Sequence, residues 1–260
     1  MLHLLKLRVC LFYCLHHVCS GLLNSSLEGR IVKGYKVEID QYPHSVFLHF
    51  LKDIPTACGS SLVMDRAVIT AAHCLNEFKY RNGRITAFLG STIPIHAKLV
   101  RRVVDYRIHP RYNAKKGRYN LGIAFFNNRV TLNHFVKKVP IAVVAPKPGD
   151  GLFTSGWGKQ VPKKLPDYSD LRHLKVSKQK LITDRECEQY TNFGVSSAYL
   201  CTVSINGYHY HGDSGNGLIT KNHFLVGVVS YMINDATIYS NVVKERHWIK
   251  ESILSLSKNC

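Results

Sequence analysis

Apolar residues in this chain come in runs too short for most helices to use. SVFLHF (45–50), RAVIT (66–70), RITAFLG (84–90) and FLVGVVSYM (224–232) are each bounded by turn residues, in stretches such as RNG, INGY and APKPGDG. Short alternating or continuous apolar runs between such breaks are what strands joined by tight loops require, and they argue against alternating βα units. One segment departs from the pattern. Across 244–256, Trp248, Ile249, Ile253 and Leu256 recur at helical spacing, which predicts a C-terminal helix docked on a core. The expected fold is all-β with one terminal helix, and APKPGDG (145–151) is the best place to divide it into two halves.

The first 20 residues follow a different logic. Lys6 and Arg8 precede the apolar run VCLFYCL (9–15), and small residues precede Gly21. This is the layout of a signal peptide over 1–20, and it predicts a secreted protein. No apolar run is long enough to span a membrane. Removal of the signal takes Cys10, Cys14 and Cys19 with it and leaves Cys58, Cys74, Cys187, Cys201 and Cys260. That odd count suggests two bridges and an unpaired Cys260. No C-x-x-C pair is present, and His209 with His211 lacks a third ligand, so neither a metal nor another cofactor is expected.

Lys and Arg number 35 against 17 Asp and Glu, a net charge of +18. Such a field attracts glycosaminoglycans and other polyanions. The cations are scattered as pairs and accompany no nucleic-acid-binding motif, so nucleic-acid specificity is not expected.

Three local patterns carry chemistry. TAAHC (70–74) sets His73 directly before Cys74, with Cys58 sixteen residues upstream in CGSSL; GDSG (212–215) surrounds Ser214; and RIVKG (30–34) offers a cut after Arg30 that frees Ile31. Each alone is weakly specific. In the chain order RIVKG, CGSSL with TAAHC, SGWG (155–158) and GDSG, and with YPHSVFL (42–48), HPRYN (109–113), ECEQY (186–190) and IYSNV (238–242), the chain resembles the chymotrypsin-like serine proteases over nearly all of its length after residue 30.

The resemblance implies two antiparallel six-stranded β-barrels and a C-terminal helix, with 21–30 as an activation segment and 31–260 as the peptidase-like domain. The first barrel would lie in 31–144, and the second barrel with the helix in 145–260. His73 is then the general base, Ser214 the nucleophile, and the N–H groups of Gly212 and Ser214 the oxyanion hole. Asp213 would receive the new ammonium of Ile31 after cleavage at Arg30. Bridges are implied between Cys58 and Cys74 and between Cys187 and Cys201. The third triad member, an Asp directly before Ile-Ala in the family, falls on Gly122 in YNLGIAFF (119–126). Asn120 is nearby, but nothing in the sequence supports it as a substitute. The specificity pocket is altered as well: Tyr208 falls at its base, and Met232 and Thr237 replace wall glycines, so the pocket is expected to be filled. Asn216, where the family has glycine, is expected to disturb the nucleophile turn.

A changed triad and an obstructed pocket make the chain similar to the inactivated serine protease paralogues of parasitic mites. The implied role is a secreted pseudoprotease that binds proteins of host proteolytic defence, such as complement. The alternatives are a weak or narrowly specific endopeptidase and a cationic binder of polyanions or microbial surfaces.

Overall fold

The computed structural model describes residues 34–51, 56–76, 83–158, 173–191, 196–207 and 212–258. Strands β2 (Ser45–Leu51), β3 (Thr56–Met64), β4 (Ala67–Thr70), β5 (Arg84–Leu89), β6 (Leu99–Ile108) and β7 (Gly122–Phe126) close into an antiparallel barrel in the order β2-β3-β4-β7-β6-β5. Strands β8 (Gly151–Gly156), β9 (Lys175–Leu181), β10 (Tyr199–Asn206), β11 (Gly217–Thr220), β12 (Leu225–Ile233) and β13 (Ala236–Asn241) form a second, closed by pairing of β8 with β9. The short helices α1 (Ala72–Asn76) and α2 (Asp184–Thr191) sit in connections, and α3 (Arg246–Lys258) ends the chain. The all-β, two-barrel expectation holds, and the terminal helix lies within two residues of its predicted start.

The run SVFLHF shows why its apolar residues do not alternate cleanly. Val46, Leu48 and Phe50 point into the first barrel, while Phe47 packs outward into a cluster with Ile39, Trp157 and Leu174. Both faces of β2 are buried, so both take apolar residues. The chain ends clasp the opposite halves. Strand β1 (Tyr35–Lys36) pairs with β9 of the second barrel, whereas Ile249 of α3 is buried in the first-barrel core. Burying Ile249 against leaving it in water stabilises the docked helix by about 1.5–3 kcal/mol.

The two interiors differ in chemistry. Inside the second barrel Thr202 donates to Gln179 Oε1 at 2.7 Å, and Gln179 Nε2 donates to the hydroxyls of Ser177 at 2.7 Å and Ser204 at 3.1 Å. Ser177 passes its own proton to the carbonyl of Asn206 at 2.6 Å, so each buried amide or hydroxyl repays the loss of water. The chain of bonds ends at 206–207, on the wall of the cleft described below.

His44 is buried, and its pKa is pushed down to about 3, first by loss of water and then by the neighbouring His223. The unfolded chain therefore binds a proton at this site between about pH 6.5 and pH 3 that the folded chain refuses. Stability contributed by neutral His44 is complete above that window and falls as pH drops through it, by up to about 1.4 kcal/mol per pH unit. Urea midpoints taken from pH 7 to pH 4 should fall less steeply in His44→Gln than in the parent; equal slopes would show that the site does not titrate this way.

Candidate active site

Helix α1 follows β4 and carries His73, and Cys74 on the same turn is bonded to Cys58 on β3, so the imidazole is presented from a covalently fixed corner. The second expected bridge, Cys187 to Cys201, is also formed. The partner of His73 is Asn120. The backbone N–H of His73 donates to Asn120 Oδ1 at 2.9 Å, and Asn120 Nδ2 donates to Ser230 Oγ at 2.8 Å. These two bonds fix the amide, because only its oxygen can accept from the backbone N–H and only its nitrogen can donate toward the Ser230 carbonyl, 3.4 Å away. With that orientation Nδ2 lies 2.9 Å from His73 Nδ1, nearer than Oδ1 at 3.2 Å. Two donors cannot face each other at 2.9 Å, so Nδ1 is bare and the ring proton sits on Nε2. Nε2 in turn lies 3.7 Å from the Cys74 sulfur, a weak acceptor.

Gly122 does not occupy the third position. It is the first residue of β7, paired with Thr70 and Ile108, and a β-carbon there would come within 2.6 Å of Leu75 Cδ1 and 3.3 Å of the Arg107 carbonyl. A side chain at 122 runs into the α1–β6 packing, and the residue that meets His73 stands two places earlier. Asn120 is brought there by Tyr119, a non-glycine residue in the left-handed region with φ 52°. The ring of Tyr119 holds that conformation: it stacks on His109 at 5.0 Å and carries the Arg111 guanidinium 4.1 Å above it. His109 and Arg111 are tied in turn to Glu245, at 3.0 and 3.4 Å. The only sequence signal for Asn120 was its proximity to Ile123-Ala124; the strained turn that aims it had none.

Ser214 stands in a turn built on glycines with positive φ, Gly212 at 95° and Gly215 at 89°, and its carbonyl accepts from Gly59 N–H at 2.8 Å. A β-carbon on Gly215 would strike the Gly59 carbonyl and the Thr70 hydroxyl. Asp213 is fully buried, and its Oδ1 accepts from the Gly158 N–H and from Asn216 Nδ2, each at 3.0 Å. Asn216 does not disturb the turn. Its backbone avoids positive φ, and its amide fills the space left by the missing side chains of Gly59 and Gly156, where a β-carbon would overlap it. The expected strain is replaced by a hydrogen bond to a buried carboxylate, a group that needs such donors.

His73, Asn120, Ser214 and Ser230 share a cleft of 1580 Å³ with Tyr231 and Met232. Met232 is thus at the site as expected. Thr237 is not among its described lining; it is buried within β13, paired with Thr202 and Met232. The expected filling of the pocket rests on Tyr208 and its neighbours. Tyr208, His209, Tyr210 and His211 lie outside the described residues, as do Arg30, Ile31 and Cys260. Among the described residues the one group of candidate metal-ligand atoms is Cys58, His73 and Cys74, and both of its sulfurs are spent in a disulfide.

The Trypsin family model matches residues 31–249. Hypodermin-A of Hypoderma lineatum is 30% identical over 222 residues, covering 83% of this chain and 82% of its own. Trypsin epsilon of Drosophila erecta is 31% identical over 248 residues, covering 89% and 90%. Among solved structures, the scabies mite inactivated protease paralogue S-D1 superposes with a TM-score of 0.73 at 24% identity, covering 86% of this chain and 97% of that one, a likeness of fold. A structure named GrC matches with the same TM-score of 0.73 at 26% identity, covering 85% and 99%.

Proposed function

The chain belongs to the trypsin family of serine proteases, and from that premise we propose that it is a catalytically silent, extracellular member that acts by binding a protein partner. The observation that carries this reading is the Asn120 amide against His73 Nδ1. To activate Ser214 the imidazole must take its proton at Nε2 and hold the resulting positive charge. Asn120 works against both steps. Donation into Nδ1 keeps the ring proton on Nε2, the nitrogen that should be empty, and a neutral amide gives no charge to stabilise an imidazolium. In a related protease the same Asp-to-Asn change leaves geometry intact and lowers turnover roughly 10⁴-fold.

The partner class we favour is a protein of a proteolytic defence, complement among them. The scabies mite neighbour of the same fold is named an inactivated protease, which agrees with a silent Ser214 and names no partner. The signal-like segment 1–20 supports secretion, and among the described residues no helix is long and apolar enough to cross a membrane. A second reading, a weak endopeptidase, draws support from the ordered Ser214 turn and the buried Asp213. The high positive charge of the chain also favours polyanion contact beside a protein partner.

The test is fluorophosphonate labelling of the protein after cleavage at Arg30. Such a reagent reports an activated serine while asking little of a specificity pocket. The parent should label at Ser214 at least 10³-fold more slowly than an active trypsin. Labelling at an ordinary protease rate would overturn the silent reading in favour of the endopeptidase.

A further inference from the structure

The cleft has a charged rim that catalysis does not use. Segment 113–118 forms a tight loop closed by Asn113 and Arg118, which exchange backbone hydrogen bonds at 2.9 and 3.2 Å, and by Lys116 N–H on Asn113 Oδ1 at 3.0 Å. The loop belongs to the first barrel but is fastened to the second. Tyr199 donates to the Gly117 carbonyl at 2.9 Å, and Gly117, at φ 61°, sits so close to the Tyr231 ring that a β-carbon would come within 3.0 Å of it. Lys115, Lys116 and Arg118 are exposed, line the cleft, and enter no ion pair among the described residues. Against these three cations the described lining offers one carboxylate, Asp235 on the hairpin between β12 and β13.

The floor beside this rim suits an extended chain. Past Val229, β12 keeps β13 on one side, with Tyr231 opposite Ile238 and Met232 opposite Thr237. On the other side β11 stops pairing at Gly217 opposite Val228, so past Ser230, which is buried against Asn120, Tyr231 and Met232 present an edge with no described strand on it. An unpaired edge takes main-chain hydrogen bonds from a peptide, and apolar neighbours such as Ile205, 54% exposed, take its side chains. A polysaccharide lacks the regular main-chain donors and acceptors that pair with such an edge.

We infer that the cleft binds an extended acidic peptide segment of the partner, its carboxylates read by Lys115, Lys116 and Arg118. This rests on the binding reading given above and names the chemistry of the partner. Fixing the loop at both ends before binding lowers the ordering cost of holding three cations together. Each exposed charge pair is weak, and three together are worth about tenfold in affinity at low salt.

The experiment measures fluorescence anisotropy with two nonapeptide libraries, one with three consecutive central positions fixed as Glu and one with the same positions fixed as Gln. The parent should bind the Glu library about tenfold tighter, and the margin should shrink at 0.5 M salt. Lys115→Gln/Lys116→Gln/Arg118→Gln changes only exposed side chains, and it should bind both libraries alike. Equal affinities in the parent, or a preference that survives in the triple variant, would overturn the assignment. So would a heparin octasaccharide that displaces the Glu library and itself loses affinity in the triple variant, which would make the rim a polysaccharide site. Labelling at Ser214 is a separate readout, so failure of the silent reading and failure of this one are told apart.

Discussion

Asn120→Asp should raise the rate of fluorophosphonate labelling at Ser214 by roughly 10³–10⁴-fold, the largest effect expected of any single change in this protein. A carboxylate at 120 would still accept the His73 backbone N–H now held at 2.9 Å, and the Ser230 hydroxyl, 2.8 Å away, can rotate to become a donor. His73 Nδ1 would then carry the proton, Nε2 would be free to accept from Ser214, and the imidazolium would gain a counter-charge. The geometry needs no rebuilding, because Tyr119, His109, Arg111 and Glu245 already hold residue 120 in place. Gly122→Asp is the discriminating control. Its side chain meets Leu75, so it should leave labelling unchanged and cost about 1–3 kcal/mol of stability by overpacking. A gain below tenfold in Asn120→Asp, or a gain in Gly122→Asp, would show that the tautomer of His73 is not what silences the site.

The second large effect lies under the nucleophile turn. Gly59→Ala should destabilise the parent by about 1–3 kcal/mol, because its β-carbon would overlap the buried Asn216 amide. Asn216→Gly alone should also destabilise, by about 1.5–3 kcal/mol, since Asp213 loses a donor that it accepts at 3.0 Å. In the double variant the clash is gone. What remains near an alanine at 59 is the backbone nitrogen of residue 216 at 3.1 Å, a contact small shifts relieve. The two changes should therefore couple by at least about 1 kcal/mol in a denaturant-midpoint cycle, in the sense that Gly59→Ala becomes cheaper without Asn216. Additive costs would mean that Asn216 is not seated between Gly59 and Gly156.

The punctuated apolar runs determined the all-β architecture, because strand period and turn residues are properties of neighbouring positions in the chain. The two bridges and the pairing of His73 with Ser214 in one site followed from the family resemblance that TAAHC, SGWG and GDSG carry. The third residue of the site is not the one directly before Ile123-Ala124: that Ile-Ala selects Gly122 by local sequence, and the side chain that meets His73 comes from Asn120, two places earlier. The choice was made by a tyrosine with positive φ, clamped by His109 and Arg111 against Glu245 more than a hundred positions away. Asn216 departs from expectation for a related reason: a side chain in a tight turn is costly only where neighbours crowd it, and Gly59 and Gly156, distant in sequence, leave room for its amide. By itself the sequence determined which elements form and which reactive side chains they carry. Only the tertiary structure decided which amide faces the imidazole and which cations face the cleft, because side-chain direction at a site is set by contacts between segments that no local pattern records.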